Sequence, residues 1–149
     1  MTQQWVEGKL SNLDYLLAIN HAVGRTTMDS KFPAMVPWVS DLIVQNGGWR
    51  DLSQTKYRLR HGDAMLDLTY SNSVPRHHIA ESMSELTYYM YEARRSPLTT
   101  LRQVVRSNFV PAHYPSSMAR YYQWSPDEAT PAFYNDPAIF ISRHKAIGL

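Results

Sequence analysis

Asp14, His21 and Arg25 are spaced so that a helix would carry all three on one side, and a carboxylate near an imidazole is the minimum for general acid and base chemistry. On that pattern the chain could be a small hydrolase using His21 and Asp14. The same spacing describes the solvated side of any amphipathic helix, which is the commoner use of such residues. Six histidines invite a metal, yet only His77 and His78 are neighbours, and adjacent helical residues point apart. No His-x-x-x-His pair supports a metal site. No G-x-S-x-G elbow is present, and Gly47-Gly48 lacks the helix and the Lys-Ser/Thr pair of a phosphate loop. The residues therefore signal no catalytic group, no metal and no cofactor. Arg95, Arg102 and Arg106 could form a basic strip for anionic lipid or a partner, or simply the wet side of a helix.

The elements that would position these residues belong to one domain over residues 1–149, with 44% hydrophobic residues and enough chain for a single core. Fifteen Lys and Arg against 13 Asp and Glu leave a formal charge of +2, too mild to argue for nucleic acid. The absence of cysteine excludes a disulfide framework and thiolate chemistry. No basic segment followed by an apolar run opens the chain, and no window approaches the ~18 apolar residues of a membrane span. A soluble, cytosolic domain is expected. Ten tyrosines, four tryptophans and nine prolines suggest an aromatic core crossed by stiff extended connections, with the tryptophans as core or interface anchors.

Ser11 reads as an N-cap with Asp14 three residues on, and the helix that follows to residue 25 places Leu13, Leu16, Leu17, Ile19 and Val23 on a broad apolar arc. Asn20 falls inside that arc, and Gly24 can end the helix in a left-handed turn. Residues 32 to 39, FPAMVPWV, fit neither helix nor half-exposed strand, because two prolines interrupt them and no alternation is present. They read as buried extended chain without a hydrogen-bond ladder. Its backbone groups need partners, and the Asn20 amide is able to supply them. Asn46-Gly47 marks a tight turn. Residues 56 to 74 read as loop with short structured pieces, and a helix is expected from Ile79 to Arg95 with Ile79, Met83, Leu86 and Met90 as its inner seam. Another helix is expected through Leu98, Leu101, Val104 and Val105. Ser116-Ser117 would cap a turn around Met118, and Ser125-Pro126-Asp127-Glu128 has the form of a capping box.

Taken in order, Trp5, the run from Ser11-Asn12 to Asn20 and Gly24-Arg25, then Pro33, Val36-Pro37-Trp38, and Trp49-Arg50-Asp51-Leu52-Ser53 resemble the opening of a BEACH domain. Thr130-Pro131-Ala-Phe133-Tyr134 through Pro137 and Phe140 resembles the family's later Pro-Glu-Phe-Tyr-x-x-Pro-x-x-Phe. The stretches 46–53, 56–70 and 85–95 are similar to the branch that joins BEACH to kinase-like and WD40 regions. Arg76-His77-His78-Ile79-Ala80-Glu81-Ser82 departs from the His-Tyr-x-x-His-Tyr-Ser of the common type. The family's closing Trp-Ile-Asp-Leu-x-Phe-Gly segment does not follow, so the chain reads as a shortened domain or a fragment.

The resemblance implies a mainly α, multihelical domain with a core of extended, irregular backbone, and no known catalytic activity. It implies a cytoplasmic scaffold that binds other proteins in endosomal, lysosomal or autophagic traffic and meets membranes peripherally through partners, with an adjacent pleckstrin-like or kinase-like domain and a WD40 propeller in the full protein. Restraint of class III phosphatidylinositol 3-kinase is associated with the matched branch. Carried onto this chain, Asn20, Arg25 and Arg50 would satisfy irregular backbone, Trp38 would plug the core, and Asp51 would pair with Arg50.

Overall fold

The structure is a computed structural model that describes residues 1–50, 83–124 and 128–149 with scattered positions between 64 and 76, the side chains of Gln123 and Trp124 excepted. Asp51, His77, His78, most of 56–74, and Ile79 through Ser82 lie outside the described residues. The chain is mainly α, as its sequence implies. Helix α1, Thr2–Val6, leads to α2, Asn12–Ala22. The Ser11 hydroxyl accepts from the Asp14 N–H at 3.1 Å and donates to the Asp14 carboxylate at 2.6 Å, which satisfies a free amide of the first turn and fixes where α2 begins. Trp5 stacks on Tyr15 with centroids 4.6 Å apart and donates to Asn12, tying α1 to α2. Past Val23, Gly24 takes φ +80°, the left-handed conformation that ends a helix at least cost with glycine.

The expected apolar arc of α2 is narrower than its sequence. Leu13 and Leu16 pack against the core, but Ile19 is 40% and Val23 69% exposed. A hydrophobic arc records which residues could be buried; the packed neighbour decides which are.

Residues 32–39 are extended and neither helical nor part of a broad sheet, with Pro33, Ala34, Val36 and Trp38 buried. One expectation is corrected here. The segment is not free of ladder, because β1, Val36–Pro37, pairs antiparallel with β2, Glu128–Ala129. The Asn-Gly turn forms as expected: Gly47 takes φ +66° and donates to Val44, and Asp41 and Arg50 N–H groups reach Gly48 and Val39 carbonyls, both at 2.9 Å.

Helix α3 spans Glu85–Tyr91, starting later than the expected Ile79. Ser84 is extended, with ψ 163°, and its hydroxyl accepts from the Thr87 N–H, so the chain enters the helix there and Met83 lies outside it. Leu86, assigned to the inner seam, is 50% exposed, whereas Met83 is buried. Arg94 and Arg95 follow the helix in a tight turn instead of forming its last turn. Helix α4, Leu98–Val104, buries Leu101. Helix α5, Met118–Trp124, follows Ser117. The capping-box reading of 125–128 is corrected in its described part: Glu128 is a strand residue, and α6, Ala132–Asn135, begins only after Pro131. Short 3-10 turns cover Pro111–His113, Pro137–Phe140 and Lys145–Ile147.

Among the described residues two clusters form the interior. The first gathers Val36, Trp38, Met83, Tyr91, Tyr121, Ala129, Phe133 and Ile139; the second holds Ala93, Leu101 and Tyr114. Among the tryptophans only Trp38 is a core residue of the described set: Trp5 is partly exposed and Trp49 is 82% exposed. No helix among the described residues is long and apolar enough to cross a membrane.

Candidate functional site

Among the described residues, polar side chains gather on backbone where α2 meets residues 33–39. Extended chain that crosses a core cannot leave its N–H and C=O groups unpaired without cost. Asn20, 8% exposed, accepts from the Met35 N–H at 2.9 Å and donates to the Met35 carbonyl at 2.7 Å. Its amide nitrogen also donates to the Leu16 carbonyl one turn back at 2.9 Å. One side chain thus acts as a strand partner for Met35, mimicking a peptide group and anchoring itself to its own helix. Arg25 donates to the Pro33 carbonyl at 3.3 Å and Arg50 to the Trp38 carbonyl at 2.7 Å. The Arg50 guanidinium lies 4.7 Å from the Tyr122 ring centroid, a cation over a π face. Asn20, Arg25, Trp38 and Arg50 are therefore assembled on one stretch of backbone, and Asp51 falls outside the described residues.

Below this stretch Trp38 meets Tyr91, Tyr122 and Phe133, with centroids 5.7 to 6.2 Å apart and ring planes steeply inclined, the edge-to-face geometry aromatic quadrupoles prefer. The hydroxyls are spent on backbone too. Tyr91 donates to the Glu128 carbonyl at 3.0 Å, and Pro37, opposite Glu128 in the two-strand ladder, has no N–H of its own to give. Tyr121 donates to the Met90 carbonyl at 3.1 Å and accepts from Arg94, whose other terminal nitrogen reaches the Pro115 carbonyl at 2.9 Å. Burial raises the Tyr121 phenol above its ordinary pKa, with Arg94 opposing. Tyr91, Tyr121 and Arg94 were missed by sequence reasoning. Their partners lie 21 to 37 residues away along the chain, and no periodicity encodes that.

The other candidate sets are not assembled for chemistry. Asp14 accepts from the Ser11 hydroxyl in the first turn of its own helix, His21 sits two turns further on and is exposed, and Arg25 is turned to Pro33. The expected basic strip is divided: Arg95 binds Asp136 at 2.6 Å with Glu92 at 3.7 Å, Arg106 meets the His113 ring nitrogen at 3.1 Å, and Arg102 is exposed. Burial holds the Glu92 carboxyl above its usual pKa against Arg95, with Asp136 adding to the rise. Among the described residues no group of three or more His, Asp or Glu side chains is placed to hold a metal ion.

An amide bridging a helix to extended core backbone, an arginine on the Trp38 carbonyl and an aromatic plug thus lie together along residues 33–39. Residues 3–148 match the Beige/BEACH domain family model. The chain belongs to the BEACH family. It is 46% identical to Protein GFS12 of Arabidopsis thaliana over 97% of its length, which is 9% of that relative. It is 44% identical to Suppressor of organelle fusion 2 of Caenorhabditis elegans over 96% of this chain and 10% of the relative. It is 41% identical to human WD repeat-containing protein 81 over 94% of this chain and 8% of the relative. This BEACH chain thus spans about a tenth or less of the curated relatives it matches.

Proposed function

We propose that this BEACH domain is a non-catalytic protein-interaction module of a membrane-trafficking scaffold, held at endosomal, lysosomal or autophagic membranes by protein partners in the cytoplasm. In the full protein it would work beside kinase-like or pleckstrin-like and WD40 regions, and restraint of class III phosphatidylinositol 3-kinase is the finer role we assign to it. Family membership supports the class, and the name of one relative, Suppressor of organelle fusion 2, supports the setting. The observation that carries the reading is the division of labour among side chains. The amide and guanidinium groups along residues 33–39 are engaged in holding backbone, whereas large apolar side chains face outward on loops whose backbones are tied down. Met28 is 90% and Phe32 59% exposed, on a loop closed by N–H bonds from Thr26 to Phe32 and from Ala34 to Thr26. Trp49 is 82% exposed beside the ordered turn at Gly47. Fixed loops with exposed apolar groups are suited to protein contact.

Membrane fractionation tests this. The purified chain is expected to sediment with native endosomal membranes, to lose that association when the membranes are first treated with protease, and to ignore protein-free vesicles of phosphatidylcholine and phosphatidylserine. Equal sedimentation with the vesicles would replace the reading with direct lipid binding, and turnover on a broad hydrolase substrate panel would replace it with an enzyme.

A further inference from the structure

Helix α3, the chain just past α4 and the start of α5 leave an open cleft of about 210 Å³ between them, lined among others by Leu86, Thr87, Met90, Val105, Arg106 and Tyr121. The volume lies below the roughly 300 to 1,000 Å³ of sites for drug-sized molecules, so it fits a side chain better than a cofactor. Leu86, Met90, Val105 and Pro115 give it an apolar part, and Leu86 remains half exposed over it. One wall carries a cation. Arg106 directs one nitrogen to His113, and among the described residues its remaining donors meet no acceptor.

The acidic residues of α3 do not neutralise it. Glu85 accepts from the Ser30 hydroxyl at 2.8 Å, and Glu92 lies beside Arg95. Arg106 is exposed, so its charge stands at the rim beside the apolar side chains. Charge complementarity then selects the occupant: a carboxylate can take the open donors of a guanidinium in a two-point bond, while the adjoining side chain enters the cleft.

We propose that this cleft binds a partner segment bearing one large aliphatic or aromatic side chain next to an aspartate or glutamate, with Leu86 and Met90 receiving the apolar group and Arg106 the carboxylate. The proposal rests on the interaction-module reading and names the chemistry of one contact within it.

The probe is an array of capped, fluorescein-labelled hexapeptides with every pairing of Leu, Ile or Phe with Asp or Glu at the two central positions. Control arrays replace the apolar residue by Ala, or the acid by Asn, Gln or Lys. Fluorescence anisotropy with the full chain is expected to register binding of the acidic-apolar array alone. Arg106→Glu should weaken it about tenfold or more and shift preference toward the Lys array, and Leu86→Ser should weaken it several-fold, about 1 kcal/mol of apolar contact. Both positions are exposed, and circular dichroism with urea unfolding verifies that each variant folds. The proposal is overturned if no member of the array binds at millimolar peptide, if neutral peptides bind equally, or if Leu86→Ser and Arg106→Glu change nothing. It is also overturned if Arg106→Glu abolishes association with phosphatidylserine vesicles while peptides remain unbound, which would assign the cation to lipid. Protease-sensitive association of both variants with native membranes, at wild-type strength, would sink the cleft and leave the interaction reading standing. Loss of that association in wild type would sink the reading itself.

Discussion

The two interior clusters are built by opposite means. The cluster around Trp38 collects residues from Val36 to Ile139, and extended backbone runs through it, so several of its carbonyls and amides are met by side chains: Asn20 on Met35, Arg50 on Trp38 and Tyr91 on Glu128. The cluster of Ala93, Leu101 and Tyr114 lies between the turn after α3 and the body of α4, where the main chain bonds to itself. Its one hydroxyl, that of Tyr114, is buried and has no hydrogen-bond partner among the described residues. Where helices pack, polar side chains are dispensable to the backbone; where extended chain is threaded through a core, they meet the groups that the short β1–β2 ladder leaves over. That contrast makes a polar-to-apolar substitution costly in one cluster and harmless in the other.

Asn20→Leu should give the largest effect. Leucine matches the surroundings of α2 and is the better helix former, so a purely hydrophobic account would expect stabilisation. Removing the amide instead strips partners from both the N–H and the carbonyl of Met35, each worth about 1 to 3 kcal/mol when left unmet in an interior. Urea unfolding of the chain followed by tryptophan fluorescence should show a loss of about 2 to 5 kcal/mol at unchanged slope. A variant as stable as wild type would remove the distinction between the clusters, because it would mean water or rearrangement replaces the amide at no cost.

The legibility of this architecture follows the range of the interactions. Ser11 and Asp14 act within one turn, and their letters alone located the start of α2. Asn20 was visible as an amide among leucines, and Pro33 and Pro37 as breaks in any regular element. The sequence overstated burial where periodicity was the only guide, at Ile19, Val23 and Leu86, since a stripe of apolar residues does not say how wide its neighbour is. It misread Glu128, whose place in a capping-box pattern gave way to pairing with Pro37, a contact across most of the chain. Arg94 and Tyr121 carried no local signal, because what specifies them is geometry assembled by distant segments. The sequence resemblance supplied the family and its extended core, but the cleft beside α3 that Arg106 borders follows from neither motif nor period.

A smaller, sharper test compares two tyrosines. Tyr91→Phe keeps the ring that packs edge-on against Trp38 and Phe133 and removes the hydroxyl that serves the Glu128 carbonyl. A cost of about 1 kcal/mol is expected, the net worth of an ordinary hydrogen bond, read as a lowered urea midpoint.

Tyr114→Phe should do the reverse. The ring, 4% exposed, packs on Phe109 with centroids 5.0 Å apart, and phenylalanine retains that contact. What is lost is a hydroxyl that the folded chain removes from water without a bond in return, so stability is expected to stay level or rise by up to about 1 kcal/mol. Alkali gives an independent readout. Burial raises the Tyr114 phenol above its ordinary pKa, against the Arg106 charge, so the unfolded chain ionises first as pH passes about 10. The stabilising difference is therefore whole below that pH and is lost as pH climbs through the folded value. Tyr114→Phe removes one contributor to this alkaline loss, and its urea midpoint should fall less steeply than wild type above pH 10 while matching or exceeding it at pH 7. A cost as large as that of Tyr91→Phe at neutral pH would mean the Tyr114 hydroxyl is bonded after all, and the two clusters would then obey one rule.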